Sequence, residues 1–413
     1  MRVLIINTSE RIGGAAIAAN RLMQALKKNG VKARMLVRDK QTDQLTVVSI
    51  GYGWTQPIKF LWERVSIFAA NKFSKRNLFL VDIANAGTDI TKNIEFERAD
   101  VIHLHWVNQG YLSINNLNKI LHSGKRVVIT MHDQWYFTGI CHYSGDCDKY
   151  TSHCHHCTLM NGTALGDFAS QLFDKKQHIY EDSKVTFVGC SQWMANLART
   201  SALTQGHKVV SIPNAINTEQ FRPLDKTAAR KELCLPLKGK LLLFGCQRIT
   251  DERKGFRYLV DALQIIKRDN PEIAQNTEIV VVGGKADSIS RHLPFSIIPV
   301  SYVSDPQKMI ALYNAVDLYV TPSLQDNLPN TIMEALACGT PCVGFDVGGI
   351  PEMIDHKKNG YVARYKDSAD FAEGIKWVLT SDHDTLSAKA REKVMNNYTE
   401  DIVAKKYIEV YED

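Results

Sequence analysis

The sequence predicts an α/β protein made of two Rossmann-like domains facing across a cleft, and three observations predict it. The chain has 413 residues, against the roughly 100–200 of an ordinary domain. Short apolar runs of strand length alternate with amphipathic segments of helix length. The alternation pauses over residues 214–238, where several Pro and Lys and no strong period read as a linker.

The first series opens with a buried-type strand, Arg2–Ile6. A turn at Ser9–Gly14 follows, then a helix from about Ala15 to Lys28 that Asn29-Gly30 stops, and a strand at Ala33–Val37. This β-loop-α-β order starts a parallel sheet. Val101–His105 and Val127–Met131 read as strands on either side of a helix near Ile114–His122. Val185–Val188 is another strand, Ser191 caps a helix over Gln192–Thr200, and Val209–Ile212 ends the series at Pro213-Asn214. The second series has strands at Lys240–Phe244, Glu278–Val282, Ser296–Val300, Asp317–Thr321 and Pro341–Phe345. Its helices are Phe256–Asp269, Met309–Asn314 and Asn330–Ala337. The expected domains are residues 1–213 and 214–395. Residues 396–413, amphipathic over Ile402–Tyr411, are expected to pack back on the first domain. Ligands of open α/β sheets bind outside the strand C-termini, so the chemistry is sought in the loops that follow strands.

Composition narrows the function classes. Hydrophobic residues at 45% and charged residues at 23% are ordinary for globular domains. The balance of 50 basic against 44 acidic residues gives a net charge of +6. That is too mild for nucleic acid, which calls for basic clusters interleaved with aromatics. It suits an anionic small substrate or contact with an anionic membrane surface. Val3-Leu4-Ile5-Ile6 is broken at once by Asn7 and Thr8, too short for a secretory signal, and no run reaches the roughly 18 apolar residues of a membrane span. A cytoplasmic location is expected, where cysteines do not build a disulfide framework.

Four segments carry candidate chemistry. Gly13-Gly14, between the first strand and first helix, lets backbone amides approach a phosphate at a helix N-terminus; an ordinary tight turn explains it equally well. Arg248 and Lys254-Gly255 follow the first strand of the second domain, where two cations can clamp a diphosphate or simply be solvated. The stretch Thr321–Pro341 runs from a strand through a polar loop with Asp326, Asn327 and Leu328 into a helix with Thr331 and Glu334. A loop carboxylate and a helix carboxylate there can hold hydroxyls at both ends of a nucleotide sugar. Gly339 stops the helix, and Gly348-Gly349-Ile350-Pro351-Glu352 turns the chain again. Finally, Thr130-Met131-His132-Asp133-Gln134-Trp135 follows a first-domain strand. Nearby His103 and His105 are read as alternating sides of theirs, with His105-Trp106 at its end.

The Thr321–Glu352 stretch resembles the Glu-x7-Glu region of the family 4 retaining glycosyltransferases, whose two-domain architecture is GT-B. The pattern is Pro322-Ser323, an acidic residue, a small loop, Glu334-Ala335-Leu336-Ala337-Cys338-Gly339-Thr340-Pro341 and then Gly348-Gly349-Ile350-Pro351-Glu352. Gly13-Gly14, Arg248 and Lys254 stand at the family's phosphate-binding positions. The resemblance covers nearly the whole chain and is strongest over residues 240–365. It implies a nucleotide-diphosphate sugar donor with Glu334 on the ribose, Asp326 and the Asn327-Leu328 amides facing the sugar, and Val303 at the base. Arg248 and Lys254 would offset charge on the leaving phosphate, and no catalytic metal is implied. His132 would lie near the anomeric carbon, positioning and stabilising charge rather than acting as a nucleophile. One position departs from the pattern: Asp326 stands where the family most often has Glu. It is a methylene shorter, about 1.5 Å of reach; the carboxylate that can accept from sugar hydroxyls is kept, but the donor is not carried over from Glu-bearing relatives.

Cys141-x5-Cys147-x6-Cys154-x2-Cys157 gathers four cysteines among His142, His153, His155 and His156. The Cys-x2-Cys pair is half of a familiar structural zinc site; redox use or no ligand at all are the other readings. The insert resembles one in a bacterial subgroup linked to capsule, colanic-acid-like and O-antigen assembly, in which a zinc would fix a loop over the acceptor side. Residues 58–72 place Ile58, Leu61, Trp62, Val65, Phe68 and Ala69 on one helical face flanked by Lys59, Arg64, Lys72, Lys75 and Arg76. That face is either turned to the core or laid on a membrane beside a lipid-linked acceptor. The expected activity is therefore transfer of a hexose-type sugar, with retention, to a glycan or lipid-linked saccharide in bacterial surface polysaccharide synthesis, with peripheral contact at the inner membrane face. The alternative is a non-catalytic, transferase-like binding subunit of a polysaccharide assembly complex.

Overall fold

The computed structural model describes residues 1–51, 55–162, 166–245, 251–284 and 293–413. The chain divides into two compact units, Met1–Ala215 with Glu400–Asp413, and Ile216–Thr399.

The first unit holds strands β1 (Arg2–Ser9), β2 (Lys32–Asp39), β3 (Val47–Ser49), β4 (Val101–Leu104), β5 (Arg126–Met131), β6 (Thr186–Gly189) and β7 (Lys208–Ser211). They form a seven-stranded sheet in the order β3-β2-β1-β4-β5-β6-β7, with every pairing parallel. β1 is buried from Val3 onward, an unbroken apolar run because a parallel sheet is covered on both faces. Val3 and Ile5 face the helices Gly14–Lys28 and Glu400–Glu412, while Leu4 and Ile6 face a larger core that contains Trp135, Phe137 and Phe173. The C-terminal helix packs on the first unit through Val403, Ala404, Tyr407 and Tyr411.

The second unit holds β8 (Lys240–Gly245), β9 (Thr277–Val282), β10 (Ser296–Val300), β11 (Leu318–Thr321), β12 (Cys342–Phe345) and β13 (Gly360–Ala363). Its six-stranded parallel sheet runs β10-β9-β8-β11-β12-β13. In each sheet the order reverses once, between β1 and β4 and between β8 and β11. Connections leave those neighbouring strands in opposite directions, which opens a crevice beyond their C-termini.

Three expectations need correction. The supposed linker carries a helix, Lys226–Glu232, capped by Asp225, whose Oδ1 accepts from the Ala228 amide at 2.6 Å. Its Arg230 is buried and binds Asp317 at 2.8 Å, so this stretch belongs to the second unit. The helix Thr55–Ala70 does not turn its apolar face to the core: Ile58, Leu61 and Trp62 are 60% or more exposed, and Glu63, Arg64, Ile67 and Ala70 are the buried side. Ion pairing explains the inversion, since Arg64 reaches Asp82 at 3.0 Å and Glu63 accepts from the Ile83 and Ala84 amides. Finally, His103 and His105 share a side, with ring centroids 4.3 Å apart, as strand positions two apart must.

Candidate functional site

In the second unit the loops after β8 and β11, hydrogen-bonded neighbours at the switch point, bring Lys254 and Asp326 together. Lys254 ends a short turn, Glu252–Lys254, capped by Asp251. Gly255 follows at φ 61°, and a Cβ there would stand 1.9 Å from the Pro322 carbonyl oxygen, so glycine is required for the two loops to close on each other. The Leu324 amide donates to Arg253 O at 2.6 Å across the same contact. Lys254 Nζ thereby meets Asp326 Oδ2 at 2.9 Å. The Asp326 carboxylate raises the Lys254 ammonium above the ordinary lysine range, keeping it charged.

Asp326 is set from its other side by the Gly348-Gly349 turn. A Cβ on Gly348 would lie 1.8 Å from Asp326 O, and the Gly349 amide donates to that oxygen at 3.3 Å. Asn327 and Leu328 are buried behind it. The helix Asn330–Ala337 then begins, with Thr331 exposed and Glu334 on its buried side. Glu334 Oε2 accepts from the Tyr313 hydroxyl at 3.0 Å. Tyr313 is fully buried on the helix Pro306–Ala315, and burial with the Glu334 charge keeps its phenol protonated. Tyr313 was not legible as a site residue, because nothing local marks one apolar-face tyrosine as the partner of a carboxylate in another helix. Val303 is half-buried in the loop between β10 and that helix. Arg248 lies outside the described residues.

In the first unit Gly13, at φ 92°, precedes the helix Gly14–Lys28 without a side-chain cap. This puts a helix N-terminus, whose dipole favours an anion, directly after β1. His132 follows β5. Its Nε2 stands 2.8 Å from His105 Nδ1 and its Nδ1 3.5 Å from Cys190 Sγ. Burial pushes His132 down to about 4, against a small opposing pull from Asp133. It is therefore a neutral imidazole at physiological pH, able to orient a group but carrying no full positive charge, which narrows the expected role. Beneath it, Thr130 bonds His103 Nε2 at 2.7 Å and Tyr407 at 2.9 Å, and Tyr411 bonds His103 Nδ1 at 2.7 Å. Burial alone would raise the Asp133 carboxyl. His142 at 2.8 Å, the Trp135 amide at 2.9 Å and Trp106 Nε1 at 2.9 Å outweigh it and hold the group ionised.

Cys141, Cys147, Cys154 and Cys157 are free thiols in the loop that follows Asp133. Among the described residues, no three His, Cys, Asp or Glu side chains stand together at metal-holding distance.

Comparison with known proteins adds two family matches. A model described as Glycosyltransferase Family 4 matches residues 12–220, and one described as Glycosyl transferases group 1 matches residues 239–381. The chain is similar to D-inositol 3-phosphate glycosyltransferase 2 of Catenulispora acidiphila, 29% identical over 43% of each chain. It is also similar to N-acetyl-alpha-D-glucosaminyl L-malate synthase of Bacillus anthracis, 24% identical over 52% of this chain and 58% of that one. The chain thus matches less than two thirds of the length of either relative. Among solved structures, sucrose-phosphate synthase from Thermosynechococcus elongatus superposes with TM-score 0.68 at 17% identity over 100% of this chain and 98% of its own. Anabaena HepE in complex with UDP and glucose does so with TM-score 0.62 at 14% identity over 99% of each. At those identities the likeness establishes the fold, two Rossmann-like parallel-sheet domains of the GT-B kind.

Proposed function

We propose, from the premise that the chain belongs to Glycosyltransferase Family 4, that it transfers a hexose-type sugar from a nucleotide-diphosphate donor to a glycan or lipid-linked saccharide, with retention at the anomeric carbon. The observation that carries this reading is the Lys254–Asp326 pair at the β8/β11 switch point, with Glu334 on the helix that follows. An ammonium with three donors can keep Asp326 and still take a phosphate oxygen. As the sugar–phosphate bond breaks, charge grows on the leaving diphosphate, and a fixed cation lowers that barrier without a metal. Glu334, set by Tyr313, accepts hydroxyl protons of the donor ribose. Asp326 stays at the sugar side; within the first unit, His132 can orient a hydrogen-bonding group as a neutral imidazole. The HepE complex with UDP and glucose supports a uridine donor as the first to try.

Glu334→Ala is expected to raise the donor KM on the order of 10- to 100-fold, the worth of hydrogen bonds to a charged acceptor. Thermal shift against UDP-, GDP-, ADP- and dTDP-sugars, which reads RT ln(1 + [L]/Kd), first finds the donor. The product anomer by proton NMR then reports retention. A Glu334→Ala chain with unchanged KM would remove Glu334 from the donor site.

Among the described residues no helix is long and apolar enough to cross a membrane. The exposed Ile58, Leu61, Trp62 and Val65, with Lys72, Lys75 and Arg76 nearby, support peripheral contact with an anionic inner-face membrane that would present a lipid-linked acceptor for surface polysaccharide. Wild type is expected to float with vesicles containing anionic lipid, and a variant carrying serine at those four positions to stay behind. Equal flotation of the two would exclude the helix as the contact. Serine at Ile67 is no substitute, since that side chain is fully buried.

A further inference from the structure

We propose that the first unit carries an anion site at the N-terminal edge of its sheet, and that the site takes a small ligand with clustered phosphate groups and no aromatic base. The inference does not rest on the transferase reading.

A cavity of about 750 Å³ opens at the N-terminal ends of β1 and β2. Its floor is apolar: Val3, Leu4, Val31 and Ala99 are buried. Its walls are cationic. Arg2 comes from β1, Lys27 from the last turn of the helix Gly14–Lys28, Lys32 and Arg34 from β2, and Arg98 from the end of the helix Ile94–Arg98. Among the described lining residues Glu95 is the one carboxylate, and Arg34 already holds it. Four elements thus deliver five cations to one concavity, of a size that holds a small ligand.

Helix-end charge does not account for the set. Lys27 and Arg98 each stand in the last turn of a helix, where a cation offsets the dipole. Arg2, Lys32 and Arg34 are strand residues and answer no such terminus. Elsewhere in the first unit lysines find carboxylates: Lys28 pairs with Glu400, Lys119 with Asp89 and Lys208 with Asp413. Among the described residues the side chains of Arg2, Lys27, Lys32 and Arg98 have no ion pair. Like charges around one cavity repel each other, and an anion that joins them relieves this.

The ligand class follows from what the walls hold and lack. Guanidinium forks and ammonium groups suit phosphate oxygens. Among the described lining residues there is no aromatic ring and no Asn or Gln, and Thr46 gives the one neutral hydroxyl, so nothing there reads a base. β1 spans Arg2–Ser9, and at about 3.3 Å per residue roughly 20 Å separates this edge from the loop that follows the strand. The cavity is therefore distinct from the first-unit loops at Gly13 and His132. An anion held there would tie β1, β2 and two helices together at one end of the sheet.

The test titrates the full chain with tripolyphosphate, by thermal shift and calorimetry, at physiological salt, where a diffuse basic surface is screened. Wild type is expected to bind and to rise in melting temperature with RT ln(1 + [L]/Kd). Lys32→Gln/Arg98→Gln should keep the unliganded melting temperature and weaken binding on the order of 10-fold, the low end for charge-assisted contacts because both side chains are exposed. Arg2→Gln should show part of the same loss. Equal affinity in wild type and the double variant overturns the site, and so does binding seen at low salt only. Binding that is lost in Lys254→Ala but kept in the double variant belongs to the second unit and overturns it too. Flotation with phosphatidic acid vesicles separates the two sources of phosphate. A double variant that loses both flotation and tripolyphosphate binding assigns the site to a lipid headgroup; one that floats like wild type but binds tripolyphosphate weakly assigns it to a soluble ligand.

Discussion

Lys254→Ala is expected to lower kcat on the order of 100- to 1000-fold while leaving the fold intact. The range is that of removing one preorganised group aimed at charge that develops in the transition state. Lys254 is partly solvent-exposed and pairs with Asp326, so its loss opens no core. Asp326 would be left without its ammonium but partly hydrated, a small cost to stability. The effect should therefore fall on kcat more than on donor KM, because the leaving diphosphate gains negative charge only as the bond breaks. Lys254→Arg keeps a cation but puts a planar fork in place of a compact ammonium, and should recover part of the loss. Steady-state kinetics with the donor found by thermal shift decides it. A Lys254→Ala enzyme with wild-type kcat removes the lysine from the reaction.

Asp317→Ala is expected to destabilise the second unit by about 3–5 kcal/mol, the usual cost of breaking a buried ion network from one side. Asp317 Oδ2 accepts from Arg230 at 2.8 Å and from the Leu241 amide at 2.8 Å, and Oδ1 accepts from Lys226 at 3.0 Å. Its removal strands a buried guanidinium and an amide at the start of β8. Arg230→Met added to Asp317→Ala should cost less than the sum of the two, since the stranded cation goes with it. Burial alone would raise the Asp317 carboxyl; Lys226, the Leu241 amide and Lys240 outweigh it and hold the group below the usual carboxylate range. A lowered native value means the stabilisation is full above the ordinary carboxylate range and drains away as pH falls through the native value. Urea titrations near neutrality and in acid measure both effects. A loss below about 1 kcal/mol, the worth of an exposed pair, would show that the network is solvated.

Much of this was legible in the sequence for a physical reason. Strands of a parallel sheet are buried on both faces, so β1, β5, β9 and β11 announce themselves as apolar runs, and the helices Phe256–Asp269 and Asn330–Ala337 keep one clean period. The helix Phe168–Glu181 was missed because a lysine occupies one of its core positions, and period alone scores Lys176 as surface. The helix Lys226–Glu232 was hidden in the same way by Arg230. The Thr55–Ala70 face was legible as a stripe but not as to which way it turns, because Arg64 and Glu63 are paid for by Asp82 and two amides that lie outside the segment. In the candidate site, Lys254, Asp326 and Glu334 stand out in the sequence by their places after strands and by the family resemblance. Tyr313, and the pairing of His105 with His132, do not, since each joins elements distant in sequence.

The helix Glu400–Glu412 belongs to the first unit although the whole second unit precedes it in the chain. On the ribosome, at roughly 5–20 residues per second, residues 216–399 separate the first sheet from its last helix by on the order of 10–40 s of synthesis. Throughout that interval Thr130 and His103 have no tyrosine hydroxyl beneath them, and the apolar side of Gly14–Lys28 that Val403, Ala404 and Tyr407 will cover stays open. The second unit, continuous in sequence, can finish folding as it emerges. The nascent first unit is the one that needs shielding, and its final hydrogen bonds close last.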